Sequence, residues 1–153
     1  MFRHFANNIN LITENVRGYS KTNYDSTLNN KFKFNHEYNA VKLKNKWYLI
    51  DSTWGSGYIL KKKFYKKYSP YYFCVSPDLL INSHYPINHN WQLLEKPISF
   101  KQFISNLYFS NDFFVDGFYK VEPNKAYIQC PPGKYSIKVY KDNTKEIYIF
   151  RYI

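Results

Sequence analysis

The chain has 153 residues, enough for one domain or for one small domain and part of another. Hydrophobic residues make up 44% of it, close to the globular average, so the chain can form a packed core. The formal charge of +11 would suit an anionic partner. However, most lysines of the chain are scattered along the sequence, and no DNA- or RNA-binding signature accompanies them. A basic nucleic-acid-binding domain therefore remains only as an alternative that net charge supports.

The two cysteines, Cys74 and Cys130, lie far apart and outside any Cys-x-x-Cys pattern. They imply no disulfide framework, which is typical of a reducing, cytoplasmic compartment. No apolar segment follows Met1, so we expect no signal peptide, and no stretch is long enough to cross a bilayer. No set of Cys and His residues has metal-ligand spacing, so we expect neither a metal nor a cofactor.

The first elements are a helix and a strand. Residues 1 to about 8 have apolar positions at helical spacing and no capping residue ahead of them, so this segment resembles the tail of a helix. Residues 11–19 predict a strand that enters a turn near Gly18. A polar, Asn-rich loop is expected over residues 20–35.

The stretch after this loop predicts a β-hairpin. Its strands would be His36 to Leu43 and Trp47 to Asp51, joined by a turn at residues 44–46. In an antiparallel hairpin the start of the first strand lies beside the end of the second. We therefore expect His36 and Asp51 to be neighbours. A carboxylate against an imidazole fixes its tautomer and stabilises its charged form, which supplies two-thirds of a nucleophile–His–Asp triad.

The hairpin is followed by Gly55 and Gly57, which we expect to release the chain into a sharp turn. The basic block from Lys61 to Lys67 then predicts a solvated loop, although a patch contacting phosphate or a membrane is the functional alternative. A strand over residues 71–75 and a helix over 78–83, with Ser76 as its cap, are expected next.

The remaining residues predict a change of architecture. Ser99 and Gln102 form a capping box that opens a helix to about residue 107. Alternating patterns then predict strands over residues 125–130, 133–140 and 146–152, too few to close a β-sandwich. We place the domain boundary so that residues 1–96 form one domain and residues 97–153 begin a second.

The hairpin sequence resembles a motif of a known family. His36-Glu37-Tyr38-Asn39-Ala40-Val41 and Trp47-Tyr48-Leu49-Ile50-Asp51-Ser52-Thr53-Trp54-Gly55 are similar to the transglutaminase-like domain of the kyphoscoliosis peptidase family. The second half is nearly identical to the family's motif, whereas the first half departs at Glu37 and Tyr38. Further segments also resemble the family: Gly18 to Lys21, Tyr72-Phe73, Pro77, His84 to Pro86, Trp91 to Leu94, Pro97 to Ser99, Phe103, Phe113 and Gly117.

This resemblance implies an α+β fold. The first domain would be a transglutaminase-like, papain-like domain lacking its N-terminal part, and the second an incomplete immunoglobulin-like β-sandwich. It also implies a Cys-His-Asp triad in which His36 is the general base and acid and Asp51 the orienting carboxylate. The family's cysteine opens the helix before the strand that ends at Gly18 to Lys21. Aligning that strand places the cysteine just upstream of Met1, so the nucleophile has no counterpart here.

Neither cysteine of the chain is a good substitute for that nucleophile. Cys74 lies within a predicted apolar strand, where burial would raise its pKa, and Cys130 belongs to the second domain. We expect Trp47 and Trp54 to pack as core, with Trp54 the candidate for lining the substrate site. For His84 we expect a packing or turn role.

Three function classes remain open. The first is a pseudoenzyme that binds proteins, because this chain without its nucleophilic Cys should be inactive. The second is an active thiol peptidase or transglutaminase, acting on protein substrates, whose gene model is truncated. The third is the basic nucleic-acid-binding domain. A truncated half-domain would also be marginally stable.

Overall fold

The computed structural model describes residues 2–21, 34–126, 128–129, 134–142 and 144–151. The chain divides into two compact units, Met1–Ser20 with Lys31–Pro97 and Lys21–Asn30 with Ile98–Ile153. Cys130 and most of the Asn-rich segment before His36 lie outside the described residues. Within the described part of the chain, every helix is too short or too polar to span a membrane.

The first unit is built on a five-stranded antiparallel sheet. In chain order its strands are β1 (Ile12–Ser20), β2 (His36–Leu43), β3 (Lys46–Ile50), β6 (Phe73–Val75) and β7 (His84–Pro86). The order across the sheet is β6-β3-β2-β1-β7. A separate hairpin pairs β4 (Gly57–Leu60) with β5 (Lys63–Lys66). Short helices cover Phe2–Asn8, Ser52–Ser56 and Pro77–Leu80, with 3-10 turns at Pro70–Tyr72 and His89–Gln92.

The main core cluster of this unit lies on one face of the sheet. Alternation along β2 buries Tyr38 and Ala40, and Val16 of β1 pairs with Tyr38 on the same face. The other members of the core cluster are Leu49, Tyr72, Val75 and Leu80. Each large apolar side chain buried here contributes about 1.5–3 kcal/mol. Trp47 and Trp54 pack against the cluster while partly buried, as the sequence predicted.

The predicted central hairpin is present, and its first strand has the expected bounds. The second strand is Lys46–Ile50, one residue out of step with the prediction, and Asp51 follows it. The left-handed turn conformation falls on Lys44 (φ 55°), and not on Asn45. The hairpin is therefore encoded by its strand pattern rather than by an Asn in the turn.

Two predictions for the region after the hairpin are wrong. Residues 52–56 form a helix instead of a glycine-led turn, because Asp51 caps the backbone N–H groups of its first turn. The Lys61–Lys67 block is exposed to solvent, as predicted, but it is not a simple loop, since it includes β5 and the tight turn between β4 and β5. Lys61 and Lys62 both have positive φ, which permits a two-residue hairpin turn.

The elements after this hairpin are shorter than predicted. The expected strand over residues 71–75 is a 3-10 turn followed by β6, and the expected helix over 78–83 is Pro77–Leu80. Ser76 precedes this helix without a side-chain capping bond, so Pro77, with its helical φ, starts the helix.

The second unit contains two short helices and a three-stranded antiparallel sheet. The helices are Phe100–Ser105 and Asn111–Val115, and the sheet order is β10 (Thr144–Arg151), β9 (Lys134–Lys141), β8 (Phe118–Glu122). The capping box of Ser99 and Gln102 is confirmed. The predicted strand over residues 125–130 is wrong, because its described residues are not in a strand and β8 lies earlier. Pro123, which has no N–H to donate, follows the last residue of β8.

A buried lysine closes the first helix of the second unit. The ammonium of Lys21 donates to the carbonyl oxygens of Phe103 (2.7 Å) and Asn106 (3.0 Å), and it lies 4.5 Å from the Phe103 ring centroid. The residue is fully buried, and burial lowers the pKa of its ammonium to about 8. A cation at this position is stabilised by the last carbonyl groups of the helix, where the helix dipole is negative.

Candidate active site

His36 and Asp51 are in contact, as the predicted hairpin required. Because Asn39 of β2 pairs with Ile50 of β3, the first residues of β2 face the residue that follows β3. The Nε2 atom of His36 lies 2.5 Å from the Oδ2 atom of Asp51. The contact is short for a nitrogen–oxygen hydrogen bond, as is expected when the acceptor is charged.

Asp51 also forms the N-cap of the helix Ser52–Ser56. Its Oδ1 atom accepts hydrogen bonds from the backbone N–H groups of Thr53 (2.9 Å) and Trp54 (3.0 Å). The two carboxylate oxygens therefore have separate tasks, one holding the helix and the other facing histidine. This arrangement fixes the carboxylate plane, since both oxygens are restrained.

A second histidine contacts the same carboxylate oxygen, and sequence reasoning missed it. The Nε2 atom of His84 in β7 lies 2.9 Å from Asp51 Oδ2, and its Nδ1 atom lies 2.7 Å from Ser83 Oγ. The predicted packing or turn role of His84 is therefore incomplete, because the side chain also bonds to Asp51. Only the resemblance of His84-Tyr85-Pro86 to a family segment had pointed to this residue, because no local pattern links positions 51 and 84.

Burial and hydrogen bonding determine the charges in this cluster. Burial alone would raise the pKa of Asp51, but the hydrogen bonds and charges of His36 and His84 hold it well below its usual range. Burial lowers the pKa of His84, although the Asp51 carboxylate opposes this shift. Burial, with the nearby Asp51 charge, raises the pKa of Tyr38. The arrangement at neutral pH is therefore an ionised Asp51 beside a neutral Tyr38.

The three polar side chains differ in exposure. His36 keeps 11% of its side-chain surface exposed, against 1% for Asp51 and 0% for His84. Trp54 lies beside both imidazoles, with ring centroids 5.5 Å from His36 and 4.5 Å from His84. Of the three groups, His36 is thus the one that an external molecule can reach, and Trp54 is next to it.

His36, Asp51 and His84 together offer three atoms of the kinds that bind metals, all within 4.8 Å of one another. Two ligands at zinc-bonding distance in a tetrahedral site would lie roughly 3.4 Å apart. The 2.5 Å between His36 Nε2 and Asp51 Oδ2 is much shorter. This geometry fits a hydrogen-bonded set and does not fit a coordination sphere.

Cys74 is the one cysteine among the described residues, and it does not suit a nucleophile. It lies in β6 at a register shift opposite β3, with φ 53°. Burial raises the pKa of its thiol, as predicted, which lowers the thiolate fraction at neutral pH.

No protein-family model matches the sequence. Curated relatives do: the chain is 39% identical over 127 residues to the kyphoscoliosis peptidase of Homo sapiens and, at the same identity and length, to that of Mus musculus. It is also 27% identical over 101 residues to the Lim and transglutaminase domain protein ltd-1 of Caenorhabditis elegans. These matches cover 81%, 81% and 58% of the chain. The chain spans only 19%, 19% and 14% of the respective relatives. By this similarity the kyphoscoliosis peptidases are homologues of this chain over 81% of its length, and the chain is a transglutaminase-like protein.

Proposed function

We propose that this chain carries the histidine–aspartate half of a thiol acyl-transfer site that acts on proteins, and that the chain alone is inactive in acyl transfer. The observation that supports the first part is the 2.5 Å contact between His36 and a buried Asp51. A general base must reach the reacting group, and His36 is the more exposed member of the pair. The names of the relatives, a peptidase and a transglutaminase-domain protein, agree with this chemistry.

In the proposed reaction His36 takes the proton of a cysteine thiol on its Nδ1 atom, while its Nε2–H donates to Asp51. The thiolate attacks the carbonyl carbon of a protein amide, and the tetrahedral intermediate expels the amine with the proton from His36. The resulting thioester reacts with water in a peptidase, or with a lysine amine in a transglutaminase. Either nucleophile gives its proton back to His36.

The inactivity of the chain alone follows from the missing thiol. Neither cysteine is assigned the role of nucleophile: burial raises the pKa of the Cys74 thiol, and the sequence pattern assigns Cys130 to the second domain. Without a thiolate beside His36, no thioester can form. A fold of this kind would serve as a protein-binding module instead.

The test compares the purified chain with its His36→Ala variant in two assays, cleavage of a quenched fluorescent casein and incorporation of a fluorescent amine into casein. We expect no turnover above that of the variant in either assay. Turnover that depends on His36 would contradict the proposed inactivity and would assign a nucleophile within these 153 residues.

The proposed triad role is tested by adding a nucleophile. The human kyphoscoliosis peptidase has a segment that precedes the matched region. A chimera would fuse this segment to the N-terminus of this chain. We expect the rate of an active chimera to fall by a factor of about 10² or more in the His36→Ala and Asp51→Ala variants. A chimera that is active in the absence of His36 would refute the assignment. The reading frame upstream of Met1 is a simpler check, since a Cys followed by Gly and an aromatic residue there would favour the enzyme over the binding module.

A further inference from the structure

We propose that His84 is a positioning residue that acts on His36 through Asp51, by holding the shared carboxylate oxygen with a second hydrogen bond. This inference rests on the proposed function, because positioning matters only if His36 and Asp51 work as a pair. It assigns a task to a buried polar side chain that the acyl-transfer reaction itself does not use.

The first argument is the geometry of the carboxylate. Asp51 Oδ1 is held by two backbone N–H groups, and Oδ2 lies 2.5 Å from His36 and 2.9 Å from His84. His36 must move slightly when it transfers a proton to or from a substrate. The backbone N–H groups hold only Oδ1, so Oδ2 could shift with His36, whereas His84 holds Oδ2 independently.

The second argument is the tautomer of His84. With the proton on Nε2, the ring donates to Asp51 while Nδ1 accepts from the Ser83 hydroxyl at 2.7 Å. The other acceptor near that hydroxyl is the Leu80 carbonyl oxygen at 3.4 Å, which is a weaker contact. Asp51 and Ser83 therefore both favour the tautomer of His84 that has its proton on Nε2.

The third argument is charge. His84 is fully buried, and the aromatic rings of Trp54, Tyr38 and Tyr72 surround it. The titratable groups that face it are Asp51, His36 and the two tyrosines. The His36 and His84 ring centroids are 5.0 Å apart, so two imidazolium ions sharing one carboxylate would repel each other. A neutral His84 leaves the negative charge of Asp51 to stabilise a proton on His36.

The experiment is ¹⁵N NMR of the complete chain labelled at histidine, with long-range correlations that distinguish the two ring nitrogens. From pH 8 to pH 6 we expect His84 to show one protonated Nε2 and one unprotonated Nδ1. A ring protonated on Nδ1, or one that carries protons on both nitrogens in this pH range, would overturn the proposal.

Variants separate positioning from simple packing. His84→Phe keeps an aromatic ring but removes the donor, and His84→Gln keeps a donor that can reach Asp51. The readout is the solvent-exchange rate of the His36 Nε2 proton, which the hydrogen bond to Asp51 protects. We expect at least a tenfold faster exchange in His84→Phe and less than a threefold change in His84→Gln. Equal rates in the wild type and in His84→Phe would refute the proposal.

Ser83→Ala provides the second test, which stays available if His84→Phe does not fold. It removes the hydroxyl that donates to His84 Nδ1, so we expect the Nδ1 resonance to shift while the proton stays on Nε2 against the Asp51 carboxylate. We also expect an intermediate exchange rate at His36, and an unchanged His84 spectrum would count against the proposal. None of these measurements needs a nucleophile or turnover. If the chimera is active without His36 while the NMR results agree with our expectation, the proposed triad role is refuted and the positioning contact is retained.

Discussion

Gly18 of β1 lies directly against the backbone of Tyr85 in β7. A Cβ atom at residue 18 would stand 2.4 Å from the Tyr85 carbonyl oxygen, a distance that real Cβ atoms do not tolerate. The missing side chain lets β7 pair closely with β1, with Ser20 opposite His84. This close approach carries His84 to Asp51, so a backbone requirement at Gly18 supports the histidine–aspartate cluster from a distance.

The first prediction follows from this contact. Gly18→Ala should destabilise the chain by about 1–3 kcal/mol, because the added methyl group must displace β7. It should also lengthen the His84–Asp51 contact. Urea unfolding measures the stability change, and the ¹⁵N spectrum of His84 measures the displacement.

Gly55→Ala is the matched control. Its Cβ would meet its nearest neighbour, the Ser69 carbonyl oxygen, at an ordinary 3.5 Å, and residue 55 lies in a helix, where Ala is preferred to Gly. We expect no loss of stability, or a gain of up to about 1 kcal/mol. Equal losses in the two variants would show that the contact with Tyr85 is not the cause.

The second prediction concerns Asp51 as both a cap and an acceptor. Asp51→Ala removes the helix cap and leaves two imidazoles without their acceptor, so we expect a loss of about 2–4 kcal/mol. Asp51→Asn can still cap the helix and should cost about 1 kcal/mol less. Thermal or urea melts measure both.

Ser99→Ala is the control for the cap alone. It breaks the capping box of the helix Phe100–Ser105, where no charged cluster depends on the cap. We expect a loss of about 1 kcal/mol. If Asp51→Ala lowers the free energy of unfolding by no more than Ser99→Ala does, the hydrogen bonds of Asp51 to the two histidines contribute nothing to stability.

The third prediction is the pH dependence from His84. The pKa of His84 in the folded chain lies below the usual 6.5 of the unfolded chain. At a pH between the folded and the unfolded pKa, the unfolded chain therefore binds more protons than the folded chain. Stability should therefore fall as the pH drops below about 6.5, by at most about 1.4 kcal/mol per pH unit. Urea midpoints between pH 7.5 and 5 measure this slope, and His84→Gln should reduce it.

The fourth prediction is a separate loss of stability in acid that comes from Asp51. Its folded pKa is depressed, so its contribution is complete above the unfolded value of about 3.9 and is lost as the pH falls below it. We expect Asp51→Asn to show a shallower decline than the wild type below pH 4. Parallel declines in the two proteins would mean that Asp51 is not unusually acidic.

The fifth prediction tests the nucleic-acid alternative. Binding to single-stranded DNA should be weak and fall steeply with added salt, as expected of net charge alone. Glu substitutions at Lys63, Lys66 and Lys67 in the basic block should weaken this binding no more than Glu substitutions at Lys96, Lys101 and Lys125. All six lysines are exposed, and both variants change the charge equally. A much larger loss from the basic-block variant would restore a nucleic-acid-binding function.

The sequence alone determined the elements whose signal is local. The alternation of β2 and the aromatic, β-branched second strand specified the hairpin, and antiparallel pairing then required His36 and Asp51 to meet. The capping box at Ser99 was readable for the same reason, since its partners are three residues apart. The relationship to the kyphoscoliosis peptidases was also readable, because it lies in contiguous residues of this hairpin.

Only the tertiary structure decided the rest of the cluster. His84 reaches Asp51 across 33 positions because β7 packs against β1, and no periodicity or spacing in the sequence encodes that contact. The helix after Asp51 was missed because a cap with only four or five residues behind it carries little propensity of its own. The sequence thus specified the histidine–aspartate pair, whereas burial and strand order placed the second histidine on the same carboxylate oxygen.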